Sequence, residues 1–297
     1  MQDKILIYRD YPEWFRDELR NNVSAEGTMY YFSAKTEAFS RQMLKLGITQ
    51  NILHQFLMHV KETERTEGKC NDTLMIITKA GEKDLFAKSD SGTPMELLAK
   101  MPDNIQISSS ITYFENEKMR KSMEPGAPSK DERLGFIRRL GAEGILAWGV
   151  LVQPVFHVFL PSESFWLELV DAGIRRASID IFTTTLENLA VVAQIIGWYD
   201  KSAEIKMWND YINSDAPSKD GIRRGISLEK QRIAYEEIVI AANNAGIGKV
   251  TYCRYVQKMT DLPELDYCER GMGGCMANIS SPTSQMIRTA RTSWLGD

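Results

Sequence analysis

The feature that most constrains this chain is an alternation. Short β-rich apolar runs at 5–8, 29–33, 74–78, 105–110, 146–152, 178–182 and 249–253 are separated by segments of helical character at 11–21, 37–63, 129–142, 163–173, 185–199 and 227–245. Strands separated by helices of this length imply βαβ units and a parallel sheet. The runs 74–77 and 146–152 hold few polar residues, as strands covered on both faces do. The expected fold is therefore α/β: a partial TIM-like (β/α) barrel of mostly parallel strands over 1–214. A C-terminal extension over 215–297 follows, with a helix, a strand and a cysteine-containing tail. The boundary falls in the turn-rich run Asp215-Ala216-Pro217-Ser218-Lys219-Asp220-Gly221. After Cys275 the chain is polar and aperiodic, so an extended or poorly ordered tail is expected there.

Local signals sharpen the helices. Leu186, Leu189, Ala190, Ala193 and Ile196 recur at helical spacing and form one buried stripe. Ser129, after Pro128 and before Lys130-Asp131-Glu132, can cap a helix with an acidic first turn. Gly144 and Gly246 stand where left-handed residues close helices.

Composition excludes several classes. With 36 basic and 40 acidic residues the net charge is −4, so no overall basic face for nucleic acid is expected. The chain is 43% hydrophobic and 26% charged, the balance of a globular protein. No apolar run is long enough for a membrane span, and the run after Met1-Gln2-Asp3-Lys4 is too short for a signal-peptide core. A cytoplasmic protein without a membrane partner is expected.

In parallel α/β folds ligands sit at the C-terminal ends of the strands. The residues found there are Lys35-Thr36-Glu37, Thr78-Lys79, Ser108 to Thr112, Gln153-Pro154 and Thr183-Thr184-Thr185. Any one of these sets fits helix capping; together they suggest a ligand-binding mouth.

Thr36-Glu37, Thr78-Lys79, Ser110-Ile111-Thr112, the run Glu124-Pro125-Gly126-Ala127-Pro128-Ser129 with Arg133, and Gly144-Ile145 leading to Pro154 also carry a resemblance. Their order and spacing resemble the radical S-adenosylmethionine (SAM) superfamily, and most of all its spore photoproduct lyase and DNA-repair photolyase-like branch. The similarity runs from residue 5 to about residue 200. It implies a partial barrel that binds SAM and a four-iron–four-sulfur (4Fe–4S) cluster held by three cysteine thiolates. In that chemistry a 5′-deoxyadenosyl radical is released and abstracts hydrogen, in this branch from nucleic acid. By the same resemblance Thr36, Glu37, Lys79, Ser110, Thr112, Glu124 and Arg133 are cofactor-binding positions. Glu124 and Arg133 also fit a mutual ion pair.

The chain departs from the family in two ways. The sequence holds no Cys-x3-Cys-x2-Cys motif, and the segment 4–20 resembles the family's chain just after that motif. Ala34 stands where spore photoproduct lyases carry a cysteine hydrogen donor. The cluster is then absent, supplied by a partner chain, or held by the C-terminal cysteines.

Cys253, Cys268 and Cys275 are spaced C-x14-C-x6-C. Three thiolates suit a cluster, or zinc with a further ligand, but the spacing matches no zinc signature and free or buried thiols are favoured. Cys70 stands alone in sequence and suggests no role. His54 and His59 are five apart and do not share a helical face, whereas His157, near the mouth, is either a proton donor or ligand or a packed polar residue. The leading expectation is a radical SAM-like protein. A degenerate, non-catalytic barrel serving as a binding subunit is the alternative. A TIM-like metabolic enzyme with phosphate ligands is disfavoured, because no Gly-rich phosphate loop or carboxylate pair stands out.

Overall fold

A computed structural model describes residues 10–21, 27–32, 37–145, 147–214 and 224–252. The elements run α1 (Tyr11–Asn21), β1 (Met29–Phe32), α2 (Arg41–Lys45), α3 (Ile48–Glu67), β2 (Thr73–Thr78), α4 (Pro94–Leu98), β3 (Ile105–Ser110), α5 (Glu117–Met123) and α6 (Lys130–Ala142). They continue β4 (Ala147–Val155), α7 (Glu163–Asp171), β5 (Arg176–Ile181), α8 (Leu186–Gly197), α9 (Lys201–Ile212), α10 (Leu228–Ala245) and β6 (Lys249–Tyr252). The strands form one sheet in the order β1-β2-β3-β4-β5-β6. The pairs β1–β2, β2–β3, β4–β5 and β5–β6 are parallel. Sequential parallel order with helices between strands is the connectivity of a (β/α) barrel, as expected; a doubly wound sheet reverses direction at a switch point.

The chain packs as two units. One is built on residues up to Ser109 and on Asp131–Trp148, the other on Ser110–Lys130 and residues from Gly149 on.

In the first unit, every residue of β2 and β3 is buried, which accounts for the apolar run at 74–77. Tyr30 of β1 meets Phe15 of α1 edge-on at 5.9 Å and Phe56 of α3 at 6.1 Å. The single helix expected over 37–63 is instead two. Ser40 caps α2 by accepting from the Met43 N–H, and Gly47, at φ +69°, breaks the helix before α3 begins. A helical period reports which residues face the core, and both helices keep Met43, Leu44, Ile52 and Phe56 buried across the break. The strand expected at 5–8 and the tail after 252 lie outside the described residues.

In the second unit, Trp166 and Leu169 of α7 and Leu189, Ala193 and Ile196 of α8 are buried; the last three belong to the expected stripe, whereas Leu186, at the first turn, is exposed and Ala190 half-buried. Gly246, at φ +99°, closes α10. The register of β4 against β5 shifts between Val152 and Val155, where Pro154 brings no N–H to the ladder. Helix α9 carried no recognised signal. Its buried side chains are only Ala203, Met207 and Tyr211, a stripe too sparse to read against so many charges. Among the described residues no helix is long and apolar enough to cross a membrane.

One close approach fixes the entry to β1. Gly27 has φ +90°, and a Cβ there would lie 2.4 Å from the Asn71 carbonyl oxygen. Gly27→Ala is expected to cost about 3 kcal/mol, from backbone strain plus collision. Gly68→Ala, at φ +78° in open space, is expected to cost about 1 kcal/mol. Urea unfolding of the two variants checks the difference.

Candidate functional site

In the first unit, Glu37 lies just beyond β1 and reaches across to the end of β2. Its Oε1 accepts from the Thr78 hydroxyl and from the Phe39 N–H at 3.1 Å, and its Oε2 accepts from the Lys79 N–H at 2.7 Å. The Thr78 hydroxyl oxygen in turn accepts from the Ala80 N–H at 2.9 Å. This carboxylate thus joins the ends of two neighbouring strands and satisfies donors that a strand end leaves open. Three positions picked from sequence, Glu37, Thr78 and Lys79, are brought together. Thr36 lies outside the described residues. Arg133 is buried in the same unit, on α6, at 2% exposure.

In the second unit, Ser110 ends β3 and Thr112 follows two residues later, both buried. The Thr112 hydroxyl lies 3.0 Å from Glu124 Oε1 and 2.8 Å from the Gln153 carbonyl oxygen. A hydroxyl has one proton, so the two acceptors share it. Ile111 donates its N–H to the Leu151 carbonyl at 2.8 Å, which keeps this segment beside β4. Segments about 40 residues apart in sequence therefore meet at one threonine.

Sequence reasoning missed a buried cation next to this arrangement. Arg120 of α5, buried to 8% exposure, donates to both Glu117 carboxylate oxygens at 2.7 Å. Its Nη1 donates to the Ala127 carbonyl at 2.9 Å, bracing the loop after Glu124. Gly126 turns that loop at φ +80°. The i,i+3 pairing of Glu117 with Arg120 was visible in the sequence, but it reads as an ordinary surface pair.

The second unit also holds a histidine–carboxylate pair. His157, two residues past β4, has a side chain 3% exposed, and its Nε2 lies 2.8 Å from Asp210 Oδ2 on α9. Lys206 at 3.1 Å and Lys230 also hold that carboxylate. Burial works to raise the Asp210 pKa, but hydrogen bonds from Lys230, Lys206 and His157 outweigh it and hold it at about 2. Burial pushes His157 down to about 4 against the opposing Asp210 hydrogen bond. An ionised carboxylate only accepts, so Nε2 carries the imidazole proton. Nδ1, buried and with no partner among the described residues, is left as a lone-pair acceptor.

Of the hydroxyl run after β5, Thr185 caps α8, and Thr184 pairs its backbone with Arg224. Both therefore serve local structure. Cys253, Cys268 and Cys275 lie outside the described residues, and Cys70 is the free cysteine within them.

No family model matches the chain, and no curated protein matches it. Similar solved structures include the catalytic core of xylanase A, 14% identical over 90% of this chain and 77% of that one, with a TM-score of 0.37. The carboxyl transferase domain of Rhizobium etli pyruvate carboxylase is 11% identical over 96% of this chain and 48% of that one, with a TM-score of 0.25. Likenesses this slight do not specify an activity.

The pair at His157 predicts acid sensitivity. A histidine whose folded pKa lies below its unfolded value of about 6.5 gives stability that is whole above that pH and is lost as pH falls toward about 4. Asp210 adds a second loss between its ordinary 3.8 and about 2. Unfolding free energy is expected to drop by roughly 2 kcal/mol between pH 7 and pH 5. His157→Gln is expected to flatten that slope, as read by urea titration at the two pH values.

Proposed function

We propose that this chain is a radical SAM-like protein that binds the adenosyl sulfonium at the C-terminal ends of its parallel strands. The observation that carries the reading is the meeting at Thr112. It joins Ser110-Ile111-Thr112, the Glu124-Pro125-Gly126 loop and the Gln153-Pro154 part of β4, three of the segments on which the family resemblance rests. A carboxylate and a hydroxyl held together suit the ribose hydroxyls or the methionyl ammonium of SAM. The sequential parallel sheet is the architecture that the resemblance implies.

When bound, the cluster would supply the electron that cleaves SAM. The described residues offer one thiol, Cys70, and so do not fit a group that needs three. Thiolates for it would come from Cys253, Cys268 and Cys275, or from a partner chain that carries a Cys-x3-Cys-x2-Cys motif. The cytoplasm, where thiols stay reduced, suits either source. Nucleic acid is the substrate class that the resembled branch suggests, and lyase or DNA-repair chemistry its reaction class; Ala34 argues against the spore-photoproduct step itself. The missing Cys-x3-Cys-x2-Cys motif favours a second reading, a non-catalytic barrel that binds a nucleotide or partner.

Calorimetry with SAM and the full chain tests the binding. Thr112→Val and Glu124→Gln are each expected to weaken it about tenfold, the size of one hydrogen bond to a charged group. Absence of SAM binding, or affinity unchanged in both variants, overturns the proposal. Anaerobic reconstitution with iron and sulfide then separates the two readings: bound iron with thiolate absorption supports the catalytic one, and SAM binding without iron the other.

A further inference from the structure

At the opposite end of β2 from Thr78, three different donor atoms converge. His59 comes from α3, and Cys70 and Asp72 from the segment that enters β2. One ligand atom from each, a ring nitrogen, a thiol sulfur and a carboxylate oxygen, lie within 4.8 Å of one another. His59 Nε2 is 2.5 Å from Asp72 Oδ2, and the Cys70 thiol is in hydrogen-bonding contact with the same imidazole. Cys70 and Asp72 are buried, while the His59 side chain keeps 15% exposure.

The surroundings fix these donors before any ion arrives. Asp72 Oδ1 accepts from the Thr28 N–H at 2.5 Å, which aims the other oxygen at His59. Asn104 Nδ2 donates to the Cys70 carbonyl at 3.1 Å and to the Asp72 carbonyl at 2.8 Å, locking the turn that carries both ligands. Outer partners of this kind orient metal ligands and account for much of a site's affinity.

We propose that His59, Cys70 and Asp72 form a zinc site with three protein ligands and a solvent molecule in the fourth position. Zinc accepts nitrogen, sulfur and oxygen donors together, at about 2.0–2.3 Å in a tetrahedron. Neighbouring ligand atoms then stand roughly 3.3 Å or more apart. The His59–Asp72 contact must open by about 1 Å, within the reach of side-chain rotation. Binding replaces the thiol proton and the proton shared by His59 and Asp72, which leave to solvent. The ion would tie α3 to the entry of β2.

Cobalt is the probe, because a cobalt–thiolate bond gives a charge-transfer band. The full chain carrying Cys253→Ser, Cys268→Ser and Cys275→Ser removes the other thiols. It is expected to bind one Co²⁺ with a single-thiolate band. Adding Cys70→Ser is expected to abolish the band and weaken binding at least tenfold, with circular dichroism unchanged. Asn104→Ala is expected to weaken it about tenfold as a positioning residue. A missing band in the triple variant, or a band that survives Cys70→Ser, overturns the site. Should the triple variant fail to fold, X-ray absorption of zinc bound to the unaltered chain decides: one sulfur per zinc supports the site, and none or several overturns it.

Discussion

A parallel strand cannot return to its neighbour through a tight turn. The chain must leave at one end of the sheet and re-enter at the other, and a helix long enough to cover that distance is the economical route. The placement of the strand ends follows from this constraint. Within the first unit it puts the exits of the parallel pair β1 and β2 at one end, where Glu37, Thr78 and Lys79 meet, and the entry of β2 at the other. It also buries β2 and β3 on both faces, so that their interior residues carry packing and only their ends are free for chemistry.

The two ends of β2 illustrate the division. At its exit a carboxylate, Glu37, satisfies the open hydroxyl and N–H groups of Thr78 and Lys79. At its entry another carboxylate, Asp72, serves the Thr28 N–H and the His59 ring. The two are about 20 Å apart along a six-residue strand. Each spends part of its hydrogen-bonding capacity on joining neighbouring elements.

What was legible in the sequence was what is periodic or local. The strands from 29 onward, the helix at 11–21 and the closing glycines follow from alternation and turn chemistry, and they stand where expected. The break at Gly47 was hidden because the apolar residues on either side keep facing the core. Thr112 and Glu124 could be named by resemblance, but their meeting depends on a strand 41 residues away from Thr112. Cys70 looked isolated because His59 comes from the preceding helix, α3, and Asp72, two residues on, gives no sign in the sequence that it turns toward the same imidazole. Periodicity carries no information on such encounters; only folding brings them about.

Arg120 has a consequence for how kinship is recognised. The guanidinium that braces the loop after Glu124 belongs to the preceding helix, outside the Glu-Pro-Gly-Ala-Pro-Ser run that catches the eye. A cousin could preserve that run letter for letter, lose the arginine, and let the acid drift from its threonine. Surveys that rank candidates by the string alone would count such a cousin as equivalent; a pattern that also demands the upstream guanidinium would not.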